Sequence, residues 1–87
     1  MIEKLFYAEE FARLSPRERK FCKTLAELGD GPHPLRNVAQ AFAVPSASIS
    51  SLRSALIRKG IIFTPSSGQV EFRMPLADRY IREHPNL

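Results

Sequence analysis

The stretch from Leu35 to Met74 constrains the fold most, because the spacing of its apolar residues changes twice. Apolar residues first recur at helical spacing, and Pro45 then interrupts this pattern at a tight turn. A second helical pattern follows, and Gly60 is placed to end it. From Ile61 the period changes to two around a Pro-Ser-Ser-Gly loop, which is typical of a β-hairpin. The order helix, turn, helix and hairpin predicts a winged helix-turn-helix, and it makes nucleic-acid binding the first hypothesis.

A capped helix is predicted to precede this stretch. Ser15 can cap the helix, Pro16 suits its first turn, and Glu18 completes a capping box. Gly29 is placed to end the helix. His33 lies between two prolines and is expected in a solvent-exposed loop.

Two further segments have amphipathic helical patterns. Residues 2–13 predict an added N-terminal helix, and residues 76–84 predict a short C-terminal helix. We therefore expect a mainly α (α+β) fold, a winged helix-turn-helix with a three-helix core and a two-stranded wing in residues 14–87. Residues 1–13 are expected to be a packing or interaction extension.

The bulk composition bounds the class of protein. With 87 residues, of which 44% are hydrophobic, the chain is expected to be one domain with one modest core. No apolar run approaches the roughly 20 residues that span a bilayer, and the N-terminus is too acidic for a signal peptide. The single cysteine, Cys22, excludes an internal disulfide and suits a reducing compartment. We expect a cytoplasmic protein with no membrane partner.

The formal net charge of +4 is unevenly distributed. Residues 1–45 hold seven basic and six acidic side chains, which nearly cancel. Residues 46–73 hold four basic side chains and only one acidic side chain, Glu71. This excess lies where a winged helix would meet DNA, and a polyanionic partner favours such an excess.

The second helix of the predicted helix-turn-helix has one polar face and one apolar face, which is formed by Ile49, Leu52 and Leu56. Small hydroxyl side chains on the polar face would let the helix enter a major groove, although they could also simply solvate an exposed helix. Arg53 is long enough to read a guanine edge or to hold a phosphate, so Arg53→Ala is expected to weaken DNA binding. The tip of the wing carries no cation, so its contacts are expected to be weaker. The residues predicted to contact double-stranded DNA are Ser46, Ser48, Ser50, Ser51, Arg53, Ser54, Arg58, Ser67, Gln69 and Arg73.

Three aromatic residues of the N-terminal extension allow two interpretations. One thin apolar stripe on a helix would not bury all three of these side chains, which are Phe6, Tyr7 and Phe11. They either pack on the rest of the domain or form an interaction surface for a second copy or a neighbouring domain.

The sequence contains no catalytic constellation. It has no P-loop, no dinucleotide-binding fingerprint and no H-E-x-x-H motif, and both histidines lie beside prolines. Cys22 lies on an apolar face and is expected to be a small buried hydrophobe rather than a nucleophile. One thiol and two distant histidines give no metal-ligand cluster. We expect a chain that is not an enzyme and needs no cofactor.

Three segments resemble a known group of proteins. They read L-S-P-R-E-R-K-F at Leu14–Phe21, L-I-R-K-G-I-I-F at Leu56–Phe63 and F-R-M-P-L-A-D-R-Y-I-R at Phe72–Arg82. With the helix-turn-helix between them, they are similar to the C-terminal winged-helix domain of bacterial AAA-type ATPases, which is distantly similar to archaeal Orc-type initiators. The resemblance covers roughly residues 11–84. It implies a fragment or a free-standing relative of such an ATPase, although this chain has no ATP-binding motif.

Three functions are therefore kept as hypotheses. The leading one is a non-catalytic module that binds double-stranded DNA. The second is a protein-interaction module that docks on an ATPase domain, in cis or in trans, or forms a homodimer. The third is a free-standing transcription regulator, which would need to dimerise in order to bind paired half-sites.

Overall fold

The computed structural model describes residues 9–29, 31–43, 46–74 and 77–84. Residues 9–12 are helical, and the helices that follow are α1 (Pro16–Glu27), α2 (Leu35–Phe42), α3 (Ser46–Arg58) and α4 (Ala77–Glu83). The strands β1 (His33–Pro34), β2 (Ile62–Phe63) and β3 (Gln69–Phe72) form an antiparallel sheet in the order β1-β3-β2. The domain is therefore mainly helical with a small sheet, in agreement with the predicted α+β class.

The sheet has one strand more than the sequence predicted. His33 pairs with Val70 and Pro34 pairs with Gln69, so β1 extends the hairpin on its β3 side. A strand of two residues, one of them a proline, shows no periodicity. Its pairing with β3 is a tertiary contact that the sequence pattern does not contain. The expectation for His33 was therefore wrong. It is half-buried in β1, and its Nε2–H donates to the Gly29 carbonyl oxygen at 3.0 Å.

The hairpin strands are shorter than the periodicity predicted. Ile62 lies opposite Phe72 in the antiparallel pair of β2 and β3. Beyond the strands, the Arg73 N–H still donates to the Ile61 carbonyl oxygen at 2.9 Å. Val70 is fully buried, so β3 packs on the core through this side chain.

The two ends of α1 are determined by local sequence signals. The Glu18 N–H donates to Ser15 Oγ at 3.2 Å, and the Ser15 N–H donates to Glu18 Oε1 at 2.8 Å, so the predicted capping box is confirmed. Pro16 lies in the first turn, where its missing N–H costs no hydrogen bond. Gly29 follows the helix with a φ of 105°, a conformation that residues with a Cβ rarely adopt.

A left-handed residue ends α2. Ala43 has a φ of 61°, and its N–H donates to the Ala39 carbonyl oxygen at 2.9 Å. This conformation costs a non-glycine residue roughly 1–2 kcal/mol, so the packing of α2 and α3 must compensate for it. Val44 and Pro45, the rest of the predicted turn, lie outside the described residues.

An ion pair joins the end of α3 to the start of α1. The Lys59 Nζ donates to Glu18 Oε1 at 2.7 Å, and it lies 3.4 Å from the Arg13 carbonyl oxygen. Burial alone would raise the pKa of the Glu18 carboxyl, but the hydrogen bonds from Lys59 and from the Ser15 N–H outweigh burial and lower that pKa. Glu18 is therefore ionised at neutral pH.

One core receives side chains from α1 to α4, from β2 and β3, and from the segment before α1. α4 packs on α1, and it contributes Ala77, Tyr80 and Ile81 to the core, as the sequence predicted. None of the helices in the described ranges has both the length and the apolar character needed to cross a membrane. The buried hydrophobic residues are Phe11, Leu14, Phe21, Cys22, Leu25, Ala26, Val38, Phe42, Ile49, Leu56, Ile61, Ile62, Val70, Ala77, Tyr80 and Ile81.

Candidate nucleic-acid interface

One row of exposed positions runs along α3. Ile49 and Leu56 are completely buried and hold the helix on the core, as the sequence predicted. Four exposed residues recur on the opposite side at intervals of three and four, which is the spacing of one helix face, and a fifth exposed residue, Ile57, lies beside that face. We name this face the α3 ridge. It consists of Ala47, Ser51, Ser54 and Arg58.

The ridge includes three of the predicted contact residues. Ser51 and Ser54 are exposed, and the Ser51 hydroxyl lies 3.5 Å from the Ala47 carbonyl oxygen. Arg58 is exposed at the C-terminal end and forms no salt bridge with any described residue. The ridge therefore presents small side chains and one cation, and Ile57, which is 38% exposed, lies at its edge next to Arg58.

The other predicted serines of α3 are not part of the ridge. Ser48 and Ser50 are half-buried, on either side of the buried Ile49. Ser46 is the first residue of α3, and its side chain lies outside what the structure describes. The predicted polar face is therefore narrower than the number of serines in the sequence suggests.

Arg53 is not part of the ridge. It is half-buried because it lies four residues after Ile49 and three before Leu56, which places it beside the packed face of the helix. Its Nε is buried and has no hydrogen-bond partner among the described residues. The sequence placed this arginine on the free polar face, and the structure corrects that placement.

The predicted wing residues lie apart from each other. Ser67 is exposed at the hairpin tip, Gln69 is half-buried at the start of β3, and Arg73 is exposed beyond the end of β3. The Ser66 hydroxyl donates to Gln69 Oε1 at 3.1 Å, so the side-chain oxygen of this glutamine already has a hydrogen-bond partner within the hairpin. Of the three, Ser67 and Arg73 are therefore the more available for an external contact.

The tip of the wing is fixed to the start of α2. The Leu35 N–H donates to the Gly68 carbonyl oxygen at 2.8 Å, and a cleft of about 450 Å³ lies between these segments. The exposed Arg36 lines the cleft together with Ser67, so a cation does lie beside the wing tip. Sequence reasoning missed Arg36 because the contact between the wing and α2 depends on the pairing of β1 with β3.

A second cleft lies at the C-terminal end of α3. Its volume is about 350 Å³, and it is lined by Glu10, Arg13, Arg58 and Lys59. Arg13 pairs with Glu10 at 2.5 Å, and Lys59 pairs with Glu18 at 2.7 Å. The basic end of the α3 ridge therefore continues onto the N-terminal segment. No spacing in the sequence indicates this proximity, because Arg13 and Arg58 are far apart in the chain.

The Cys22 thiol lies within the core. Cys22 is 1% exposed, and burial, with the nearby Glu18 carboxylate, raises the pKa of its thiol. The thiol therefore stays protonated at neutral pH, and the prediction of a small buried hydrophobe is confirmed. The part of the chain that the structure describes contains no group of three or more metal-ligating side chains.

Phe11 is a core residue rather than part of an interaction surface. It is 1% exposed, and its ring stacks on Tyr80 with the centroids 5.8 Å apart. Phe11 lies in the helical residues 9–12, and its packing against α4 removes it from solvent, which corrects the interaction-surface interpretation for this residue. Phe6 and Tyr7 lie outside the described residues.

These features define a small α+β domain that exposes a polar helix face with a basic end. The chain belongs to the family described as Domain of unknown function (DUF8462), which residues 4–81 match. No curated protein and no solved structure matches the chain.

Proposed function

We propose that this chain is a winged helix-turn-helix module that binds double-stranded DNA through the α3 ridge. The observation that carries the proposal is the ridge itself. Two serines and Arg58 stand exposed on the face of α3 that points away from Ile49 and Leu56. A helix that enters the major groove offers hydrogen-bonding side chains to base edges and phosphates on the face that it turns to the DNA.

The topology supports this proposal. The element order α1-β1-α2-α3-β2-β3, with β1 and β2 on either side of β3, is the arrangement expected of a winged helix. The left-handed Ala43 closes α2 so that α3 follows after a short turn. In a helix-turn-helix, the second helix is the one that enters the groove.

The distribution of charge also supports the proposal. Residues 46–73 contain four basic side chains against one acidic side chain. Arg58 and Arg73 are exposed, whereas Lys59 is engaged by Glu18. We expect contacts to phosphates to dominate the affinity, so binding should weaken steeply as salt increases.

The same proposal includes the other features expected from the sequence. In it the module is non-catalytic, acts in the cytoplasm and is related to the winged-helix part of AAA-type ATPases. The buried, protonated Cys22 thiol supports the absence of a thiol nucleophile from this module.

Fluorescence anisotropy on a labelled random duplex tests the proposal. We expect a dissociation constant of roughly 10⁻⁶ to 10⁻⁴ M near physiological salt, the range of non-specific DNA binding. Arg58→Gln should weaken binding and lower the slope of log K against log salt by about 0.9, the value of one phosphate contact.

Arg79→Gln is the matched control, because it removes one exposed arginine from α4 and leaves the ridge unchanged. It should keep the wild-type slope. Wild-type protein that shows no salt-dependent binding at about 10⁻⁴ M would rule out the proposed function.

A further inference from the structure

The cleft between the N-terminal segment and the end of α3 concentrates cations on a small area. Among the residues that the structure describes, Arg13, Arg58 and Lys59 line it together with a single carboxylate, Glu10. The Glu18 carboxylate oxygen Oε1 lies 2.7 Å from Lys59 Nζ and neutralises the charge of that lysine. These described side chains therefore leave one positive charge in excess at the surface of the cleft.

The two arginines retain donors for an external anion. The Arg13 side chain is 68% exposed, and its described ion pair with Glu10 uses only part of a guanidinium that has five N–H donors. Arg58 is exposed and forms no ion pair within the described residues. Planar guanidinium groups match the oxygen geometry of a phosphodiester, which they can contact through two hydrogen bonds.

The cleft is continuous with the α3 ridge. Arg58 belongs to both, because it is the last residue of the ridge and also lines the cleft. A duplex that receives the ridge in its major groove must have a phosphate backbone at the edge of that groove. The C-terminal end of the ridge, where Arg13 lies, is one place at which the protein can reach that backbone.

We propose that this cleft binds a phosphodiester of duplex DNA through Arg13 and Arg58, and that Glu10 weakens this contact. The inference rests on the proposed function and extends the DNA-binding surface to the N-terminal segment. Glu10 opposes binding in two ways: it repels the phosphate and holds the Arg13 guanidinium. Its removal should therefore increase affinity for DNA.

The test compares Arg13→Gln and Glu10→Gln with wild type on the same labelled duplex at about 50 and 200 mM salt. Arg13→Gln should reduce the slope of log K against log salt by about 0.9, so its affinity changes roughly threefold less between the two salt concentrations. Glu10→Gln should bind more tightly than wild type, with the larger gain at low salt. A partly unfolded variant would not gain affinity, so this result cannot come from damage to the fold.

Arg79→Gln again serves as the control for a change in net charge, and we expect it to behave as wild type. The inference is overturned if wild type binds DNA but Arg13→Gln keeps the full slope, or if Glu10→Gln binds no more tightly. It is also overturned if Arg79→Gln reduces the slope of log K against log salt as much as Arg13→Gln does, since the effect would then be one of overall charge. These results leave the proposed function intact, whereas wild-type protein that does not bind DNA removes both.

Discussion

Replacing Glu18 separates the contribution of its charge from that of its hydrogen bonds. A single carboxylate oxygen, Oε1, accepts both from the Ser15 N–H at 2.8 Å and from Lys59 Nζ at 2.7 Å. In Glu18→Gln the amide oxygen can take the place of Oε1 and accept both hydrogen bonds without the charge. Glu18→Ala removes the acceptor as well as the charge.

The expected losses of stability follow from these contacts. Hydrogen bonds to charged groups contribute about 1.5–3 kcal/mol and neutral ones about 0.5–1.5, so losing the charge alone should cost about 1 kcal/mol. Lys59 is 41% exposed on its side chain, and screening by water keeps this value near the lower end. Glu18→Ala should cost about 2–3 kcal/mol, because the capping contact, worth about 1 kcal/mol, is also lost.

Thermal unfolding followed by circular dichroism measures both losses. In a domain of this size 1 kcal/mol corresponds to about 4–8 °C, so we expect the Tm to fall by that amount in Glu18→Gln and by about 10–20 °C in Glu18→Ala. Glu27→Gln, an exposed substitution on the same helix, should change stability by less than about 0.5 kcal/mol. Equal Tm values for Glu18→Ala and Glu27→Gln would refute the reasoning.

The charge contribution should also depend on pH. Because the folded protein lowers the pKa of the Glu18 carboxyl, the ion pair stabilises the fold fully above the unfolded pKa of about 4.3. This stability is lost as the pH falls through the lower folded pKa. The difference in unfolding free energy between wild type and Glu18→Gln should therefore be constant near neutral pH and shrink in acid. A difference that grows in acid would contradict the direction of the shift.

Two further predictions concern buried side chains. Phe11→Ala should cost about 3–5 kcal/mol in urea denaturation, because Phe11 is 1% exposed and stacks on Tyr80; an unchanged stability would mean that this ring is not part of the core. The Cys22 thiol should react with a disulfide reagent at pH 8 only as fast as the domain opens, because it is buried and its pKa is raised; reaction at the rate of a free thiol in native buffer would show that the site is accessible.

The helix ends show how much of the fold can be predicted from sequence. The capping box at Ser15 and Glu18, and the glycine after α1, depend on contacts between residues only a few positions apart. Such contacts leave a fixed spacing in the sequence, so both ends of α1 were predictable. The strand β1 leaves no such spacing, because His33 meets Val70 only when the hairpin folds back on it.

The sequence predicted which helix forms the candidate interface, but it did not predict which residues of that helix are exposed. The sequence identified α3 by its buried stripe of Ile49 and Leu56. It could not show how far the packing of neighbouring elements reaches around the helix, so it placed Arg53 on the free face. It also gave no indication of Arg13 at the end of the ridge, since that residue and Arg58 are far apart in the chain.

The sequence by itself determined where helices begin and end and which helix exposes a polar face. These features rest on local propensity, capping and periodicity, which act within a few turns of the chain. The tertiary structure decided which polar side chains remain free and which cations are neutralised. The ion pair of Lys59 with Glu18 is an example. It depends on α1 and the end of α3, which are distant in sequence and meet only in the folded domain.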